Sequence, residues 1–339
     1  MVVFIPGAVG ARNHRGFFVT GYSVLVPFLP RRPEQLLPYA GLVQWTRAER
    51  LWQGQALYVE PHQGFTHAAG AGFRVPVGFG VTLMPLRHPY EAALQARSVA
   101  LATGQPVVAG FGPGGRSMQR SLLGAPYRSP LTAAREYLTI VRGLLANEVV
   151  DVQGEFVSFQ GALPAFPAPP VELGLGVLRP GMARLAGEIA DVAITWLTPA
   201  SYLADTVLPA LREGAARAGR PVPRLTAIVP VALEHEGRSP DRIALASNAA
   251  HLRGPHYIDM LRRAGVGVGG EDVEADAKAI VAGGAFLSGD TGQVLDQLRA
   301  YEKAGVDEVV LNVTGVFNAV GAQEAMSDLK KILSALPSV

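Results

Sequence analysis

Eight short apolar runs recur along the chain, separated by segments of helical period, and almost all are continuous rather than alternating in hydrophobicity. They lie at 23–30 (SVLVPFLP), 56–61 (ALYVEP), 75–84 (VPVGFGVTLM), 106–111 (PVVAGF), 171–176 (VELGLG), 191–196 (DVAITW), 225–233 (LTAIVPVAL) and 307–315 (DEVVLNVTG). A strand that is apolar along its whole length is buried on both faces, as parallel sheets covered by crossover helices require. Helical periods are read over 34–53 with a kink at Pro38, from Pro89 to before Gly104, and over 131–146, 182–190, 199–218 and 292–304. The expected fold is α/β, a single (β/α)8 TIM barrel. An open doubly wound sheet places its glycine-rich turn after the first strand, whereas here that turn follows the fourth.

Residues 1–22 are expected to be an N-terminal extension and 23–339 one barrel domain, with a small hairpin at 149–161 and an insertion at 234–290. The insertion is too long for a simple crossover and reads as one or two helices plus a glycine-rich lid. Several functions are disfavoured by composition. With a formal net charge of +2 and no dense basic run, neither nucleic acid nor a membrane surface is an expected partner. The chain has no cysteine, which excludes disulfides, thiolate catalysis and cysteine-ligated metal and is compatible with the cytoplasm. No metal site is expected, because the histidines lack the helical pairing that zinc motifs use. No G-x-S-x-G elbow occurs, so a serine hydrolase is disfavoured.

In a barrel of this kind, chemistry gathers where the strands end. After the fourth run stands PVVAGFGPGGRS (106–117), in which Gly110, Gly112 and Gly115 satisfy G-x-G-x-x-G. Pro113 removes a backbone donor and no acidic residue closes a following strand, which counts against a dinucleotide fingerprint. Two readings remain open: a phosphate cradle built with the helix start near Gly181, or a tight turn in which Gly112 and Gly114 permit positive φ. Glu60 and His62 follow the second run; His62 suits proton donation near neutrality, with Glu60 as its orienting partner, or both merely anchor the loop. His88 stands before Pro89 at a helix start. Trp196 ends the sixth run and either walls a pocket or belongs to the core. Trp45 and Trp52, seven apart, are expected on one helix face.

Four stretches, AGFGPGG, SPLTAAREYLTIVRGLLANE, RPGMARLAGEIADVAI and DTGQVLDQLRAYEKAGVDEVVLNV, resemble signatures of the bacterial-luciferase-like oxidoreductases over residues 23–336. The resemblance implies a (β/α)8 barrel using FMN or the 5-deazaflavin coenzyme F420. It implies a cofactor phosphate on Gly110, Gly112, Gly114 and the amides of Gly181, Met182 and Ala183, and a ring stacked on a third-strand bulge. That bulge maps to Gly80, Val81 and Thr82, with a cis peptide between Gly80 and Val81; His88 and Trp196 would contact the ring. Arg87, Arg116, Arg120 and Arg184 would face the coenzyme's acidic tail. GFGPGG is more similar to deazaflavin enzymes, which transfer a hydride, than to FMN monooxygenases. EPH is similar to an acidic residue–histidine pair near the deazaflavin in some members, with Pro61 here intervening. LVQWTRAERLWQGQ and LMPLRHPYEAALQARS resemble members that reduce dehydroalanine to D-alanine in lanthipeptide-type peptides. The resulting expectation is an F420-dependent reductase of an activated C=C in a small molecule or modified peptide, working as a homodimer. The alternatives are an FMN-dependent monooxygenase and a cofactor-free barrel serving as scaffold or peptide-binding subunit.

Overall fold

The computed structural model describes residues 20–337. Eight parallel strands form a closed cylinder: β1 (Gly21–Leu25), β2 (Leu51–Gln53), β3 (Val77–Phe79), β4 (Val107–Gly112), β5 (Val171–Gly176), β6 (Val192–Trp196), β7 (Arg224–Leu233) and β8 (Glu308–Asn312). Each pairs with the next, and β8 pairs with β1 with Gly21 opposite Glu308, so the barrel has no open edge. The expected (β/α)8 architecture is therefore the observed one. Two short strands lengthen its rim: Thr82–Leu83 beside β4, and Leu287–Gly289 beside the end of β7.

Helices cover the outer strand faces and bury the larger apolar core there. The cylinder's interior holds a smaller cluster of Leu25, Trp52, Val108, Val192, Ile194, Ile228 and Val310. Glycines make this filling possible. A Cβ on Gly78 would stand 2.5 Å from the Trp52 ring, and Cβ atoms on Gly110 and Gly174 would stand 2.5 and 2.6 Å from Ile194 Cδ1. Below the cluster, fully buried Glu308 accepts from Trp52 Nε1 at 2.7 Å and Ser23 Oγ at 2.5 Å, with Arg50 Nε 3.5 Å away. That charged floor closes the N-terminal end and leaves the C-terminal end as the mouth.

The sequence reading departs from the structure at the second strand. Helix is expected over 34–53 and strand over 56–61, but the helix ends at Trp45, β2 is Leu51–Gln53, and Pro61 opens a new helix. A three-residue strand is too short to interrupt a helical period, while Leu57 and Tyr58, which look like strand core, are 67% exposed. Trp45 is exposed and Trp52 lies inside the barrel, so they share no helix face. The first strand starts at Gly21, two residues inside the segment assigned to the extension; the rest of that segment, 1–19, lies outside the described residues.

The hairpin forms from Val150–Gln153 and Ser158–Gly161 in antiparallel register. The insertion holds three helices, Pro240–Leu252, Pro255–Arg263 and Val273–Ala282. Its glycine-rich stretch is tied down: the buried Asp276 carboxylate accepts from the amides of Gly269 at 2.6 Å and Gly270 at 2.8 Å. Among the described residues no helix is long and apolar enough to cross a membrane.

Candidate functional site

At the mouth, β3 breaks after Phe79 and resumes at Thr82, with a cis peptide between Gly80 and Val81. Flanking strands hold the bulge: Gly80 N donates to Gln53 O at 3.0 Å, Gln55 N to Val81 O at 3.0 Å, and Thr82 Oγ1 to Gly110 O at 3.0 Å. Val81 is partly exposed and packs on the interior cluster. Its methyls fill the space where Cβ atoms of Gly112 and Gly176 would stand, at 2.8 and 3.4 Å. Gly112 thus seats the bulge, a task not visible in the motif itself.

Beyond β4 the loop turns through Gly114, at φ +72°, to Gly115, the N-cap of the helix Arg116–Leu123. Buried Gln119 braces this turn: its amide donates to the carbonyls of Pro113 at 2.9 Å and Gly114 at 2.8 Å, and its oxygen accepts from Tyr127 N at 3.0 Å. Beside it, β5 leads into the helix Pro180–Ile189, whose N-cap, Arg179, makes no side-chain capping bond. The first turns of both helices lack acidic residues. Within each helix the first available acceptor is already used, by Gln119 N to Gly115 O and by Ala183 N to Arg179 O. The amides ahead of them, of Arg116 to Met118 and of Gly181 and Met182, have no acceptor within their own helix. The amide of Ala183 is committed to its helix, so of the expected trio only Gly181 and Met182 can serve an anion.

Two uncapped N-termini on adjacent strands, one behind a loop without side chains, provide a field and donors for a phosphate. An added Cβ would meet nothing within 4 Å at Gly115 and only Leu83, at 3.8 Å or beyond, at Gly114. These residues fit the phosphate end of a flavin or deazaflavin, and the Gly80–Val81 bulge fits a ring laid against it.

Glu60, His62 and Arg87 come together on one side of the mouth. Glu60 caps the helix Pro61–Gly70 by accepting from His62 N at 2.8 Å; it also contacts His62 Nδ1 at 2.8 Å and Arg87 Nη2 at 2.8 Å. Burial tends to raise the Glu60 carboxyl, but the His62 hydrogen bond and the charges of His62 and Arg87 outweigh it and hold the pKa below the ordinary value. Glu60 is therefore a carboxylate that orients, poorly suited to giving up a proton. The buried His62 ring stacks on Phe79 with centroids 4.2 Å apart. Because Nδ1 is held by Glu60, the ring nitrogen left for other chemistry is Nε2.

His88 caps the helix Pro89–Thr103 through Tyr90 N and lies 5.8 Å from the Phe159 ring of the hairpin. Its surroundings are thus helix start and hairpin. Trp196 packs against the interior cluster and stacks on His251 of the insertion, with centroids 5.1 Å apart and planes 23° apart. Gln119 and His251 escape the sequence reading: the first is one polar residue in an amphipathic segment, the second lies in a helix whose placement over the mouth is non-local. A cavity of about 900 Å³ opens elsewhere, on the barrel's outer wall between Trp45 and Leu333. None of Glu60, His62, Val81, Arg87, Gln119 and Trp196 lines it; the candidate residues gather at the mouth instead.

The fold is a parallel barrel with two uncapped helix N-termini after its fourth and fifth strands and a bulge in its third. The luciferase-like monooxygenase family model matches residues 2–308, and the chain belongs to that family. It is 32% identical over 147 residues to the 5,10-methylenetetrahydromethanopterin reductase of Methanolobus tindarius, covering 43% of this chain and 44% of that protein. It is 28% identical over 220 residues to the F420-dependent glucose-6-phosphate dehydrogenase of Beutenbergia cavernae, covering 60% and 65% respectively. The match thus spans less than two thirds of either relative. The structure of the coenzyme F420 dependent tetrahydromethanopterin reductase from Methanopyrus kandleri superposes with a TM-score of 0.72 at 19% identity, covering 94% of this chain and 97% of that one.

Proposed function

We propose that this protein is an F420-dependent reductase that adds hydrogen across an activated C=C, with dehydroalanine in a lanthipeptide-type modified peptide as its substrate and D-alanine as the product. The observation that carries the reading is the convergence of the Gly114–Gly115 turn with two uncapped helix N-termini beside the Gly80–Val81 bulge. Relatives named for F420 and for a methylene-pterin reductase support the same direction. When bound and reduced, the deazaflavin supplies two electrons as hydride.

The chain's own residues do the rest. The amides of Gly181, Met182 and Arg116 to Met118 hold the phosphate, and Gln119 keeps the loop carbonyls turned toward itself. Val81 and the interior cluster form a dry apolar floor under the ring. Glu60, held ionised, fixes the orientation of His62, whose Nε2 stands available to move a proton. The chain is expected to act as a homodimer in the cytoplasm. Use of FMN for oxygenation is the second reading, favoured by the family's monooxygenase members.

Titration of the purified protein with F420 and, separately, with FMN tests the proposal. Quenching of deazaflavin fluorescence at micromolar concentration, with weak FMN binding and no oxygen consumption with reduced cofactor, is the expected result. Tight FMN binding with oxygen uptake and no affinity for F420 would replace it by the monooxygenase reading.

A further inference from the structure

One carboxylate at the mouth takes three donors. Glu60 Oε2 accepts from His62 N at 2.8 Å, Oε1 accepts from Arg87 Nη2 at 2.8 Å, and His62 Nδ1 lies between the two oxygens, 2.8 and 2.9 Å away. Because Glu60 is held ionised it can only accept, so in the neutral His62 ring Nδ1 carries the proton and Nε2 the lone pair. Nε2 has no hydrogen-bond partner among the described residues. The two ends of the carboxylate are fixed by different segments of the chain. The His62 amide belongs to the helix Pro61–Gly70, whereas Arg87 stands between the short turn Met84–Leu86 and the helix Pro89–Thr103.

The Arg87 guanidinium is built into this place. Its side chain is 6% exposed, and Glu60 is its one acidic partner among the described residues. Nη1 reaches Gln55 Oε1 at 3.4 Å, and Gln55 N in turn donates to Val81 O of the bulge at 3.0 Å. The Arg87 backbone is extended, and its carbonyl accepts from the hydroxyl of buried Tyr137 at 3.1 Å. A lysine ammonium is one compact charge; the planar fork lets Arg87 meet two acceptors in fixed directions. Those acceptors, within the site, take up the guanidinium that the family resemblance assigns to the coenzyme's acidic tail.

We propose that Arg87 is a positioning residue, holding the Glu60 carboxylate in the plane that keeps the proton of neutral His62 on Nδ1 and leaves Nε2 free to carry the proton that follows the hydride. The inference rests on the reductase reading and names the residue that fixes its proton carrier. Hydride addition to the β-carbon leaves the former C=C electron pair on the α-carbon, which takes a proton there. His62 Nε2, protonated from water, is able to give it, and Glu60 answers the charge of the imidazolium in the meantime. A neutral ring with its proton on Nε2 is a far weaker acid than the imidazolium, so losing the hold on Nδ1 slows that step. Arg87 itself makes and breaks no bond.

The test uses the full chain labelled with nitrogen-15 on histidine, at about pH 8, where an ordinary imidazole is neutral. Of the seven histidine rings, His62→Gln removes one and so assigns it. Long-range proton–nitrogen spectra of the wild type are expected to show His62 as the Nδ1–H tautomer. Arg87→Met, which keeps the side chain's length without its donors, should give a mixture with the Nε2–H form. Arg87→Lys, which keeps the charge without the fork, should recover part of the wild-type population. With reduced F420 and methyl 2-acetamidoacrylate, a small dehydroalanine derivative, Arg87→Met should lower kcat about tenfold with KM changed less than about twofold. Affinity for F420, read by fluorescence, should also change less than about twofold, because backbone bonds hold the bulge. A His62 spectrum unchanged in both variants would overturn the proposal whatever their melting temperatures, as would a loss carried by KM alone. If Arg87→Met does not fold, Arg87→Lys decides: a wild-type tautomer there refutes the role of the fork. If the wild type binds no F420 while the Arg87 variants still alter the His62 tautomer, the positioning role stands and the cofactor reading falls.

Discussion

Replacing Gly115 by aspartate separates helix stability from phosphate binding, because the two respond with opposite signs. Gly115 is an N-cap with extended backbone (φ −75°, ψ 152°), and a Cβ there meets nothing within 4 Å. Aspartate is among the best N-cap residues and outperforms glycine by a few tenths of a kcal/mol, with about 0.3–1 kcal/mol more from the helix dipole. The fold should therefore hold, with a melting temperature unchanged or about one degree higher. A phosphate bound at the same amides would face the new carboxylate at about 5 Å. At an effective dielectric of about 20–40 each pair of unit charges there repels by about 2–3 kcal/mol, roughly 30- to 200-fold in affinity. Scanning fluorimetry and fluorescence titration with F420 measure the two effects on one sample. A melting temperature several degrees lower would show that the loop is not open as described; an unchanged F420 affinity would remove the phosphate from this cradle.

Further outcomes follow from the same geometry. Gln119→Leu leaves the carbonyls of Pro113 and Gly114 without their donor and should weaken F420 binding about tenfold, at a stability loss of about 1–3 kcal/mol by urea unfolding. Glu308→Ala strips the barrel floor of the acceptor for Trp52 and Ser23 and of the charge beside buried Arg50; a loss of about 3–5 kcal/mol is expected in the same assay. The Glu60 carboxyl has a folded pKa below its unfolded value, so its stabilisation is complete above about pH 4.3 and is lost as pH falls through the lower folded value. Wild type and Glu60→Gln should accordingly differ in unfolding free energy at pH 7 and converge in acid. His251, with its pKa near 4, should show a ring-proton chemical shift that stays flat from pH 8 down to about 5.5, whereas an ordinary histidine titrates across that range.

Much of the architecture is written locally. Continuous apolar runs at 106–111, 171–176, 191–196, 225–233 and 307–315 coincide with β4 to β8 within a few residues. Prolines 89, 130 and 180 each open a helix at the first position, where the missing N–H costs nothing. The glycine turn after β4 is also legible, since few other residues accept its backbone conformation, whereas the Gly80–Val81 bulge was expected only from the resemblance to the luciferase-like family. The second strand was not, because three residues carry too little periodicity to compete with a helical pattern on either side.

The amino-acid sequence by itself determined the number and order of the barrel's units and the glycine turn after the fourth strand, because hydrophobic period and glycine or proline stereochemistry act over a few neighbouring residues. Only the closed barrel decided that Gly112 makes room for Val81, that Arg87 joins Glu60 and His62, and that an insertion helix lays His251 on Trp196. Each of those contacts joins separate elements. Their existence depends on the angles at which strands and helices pack, which no local pattern encodes.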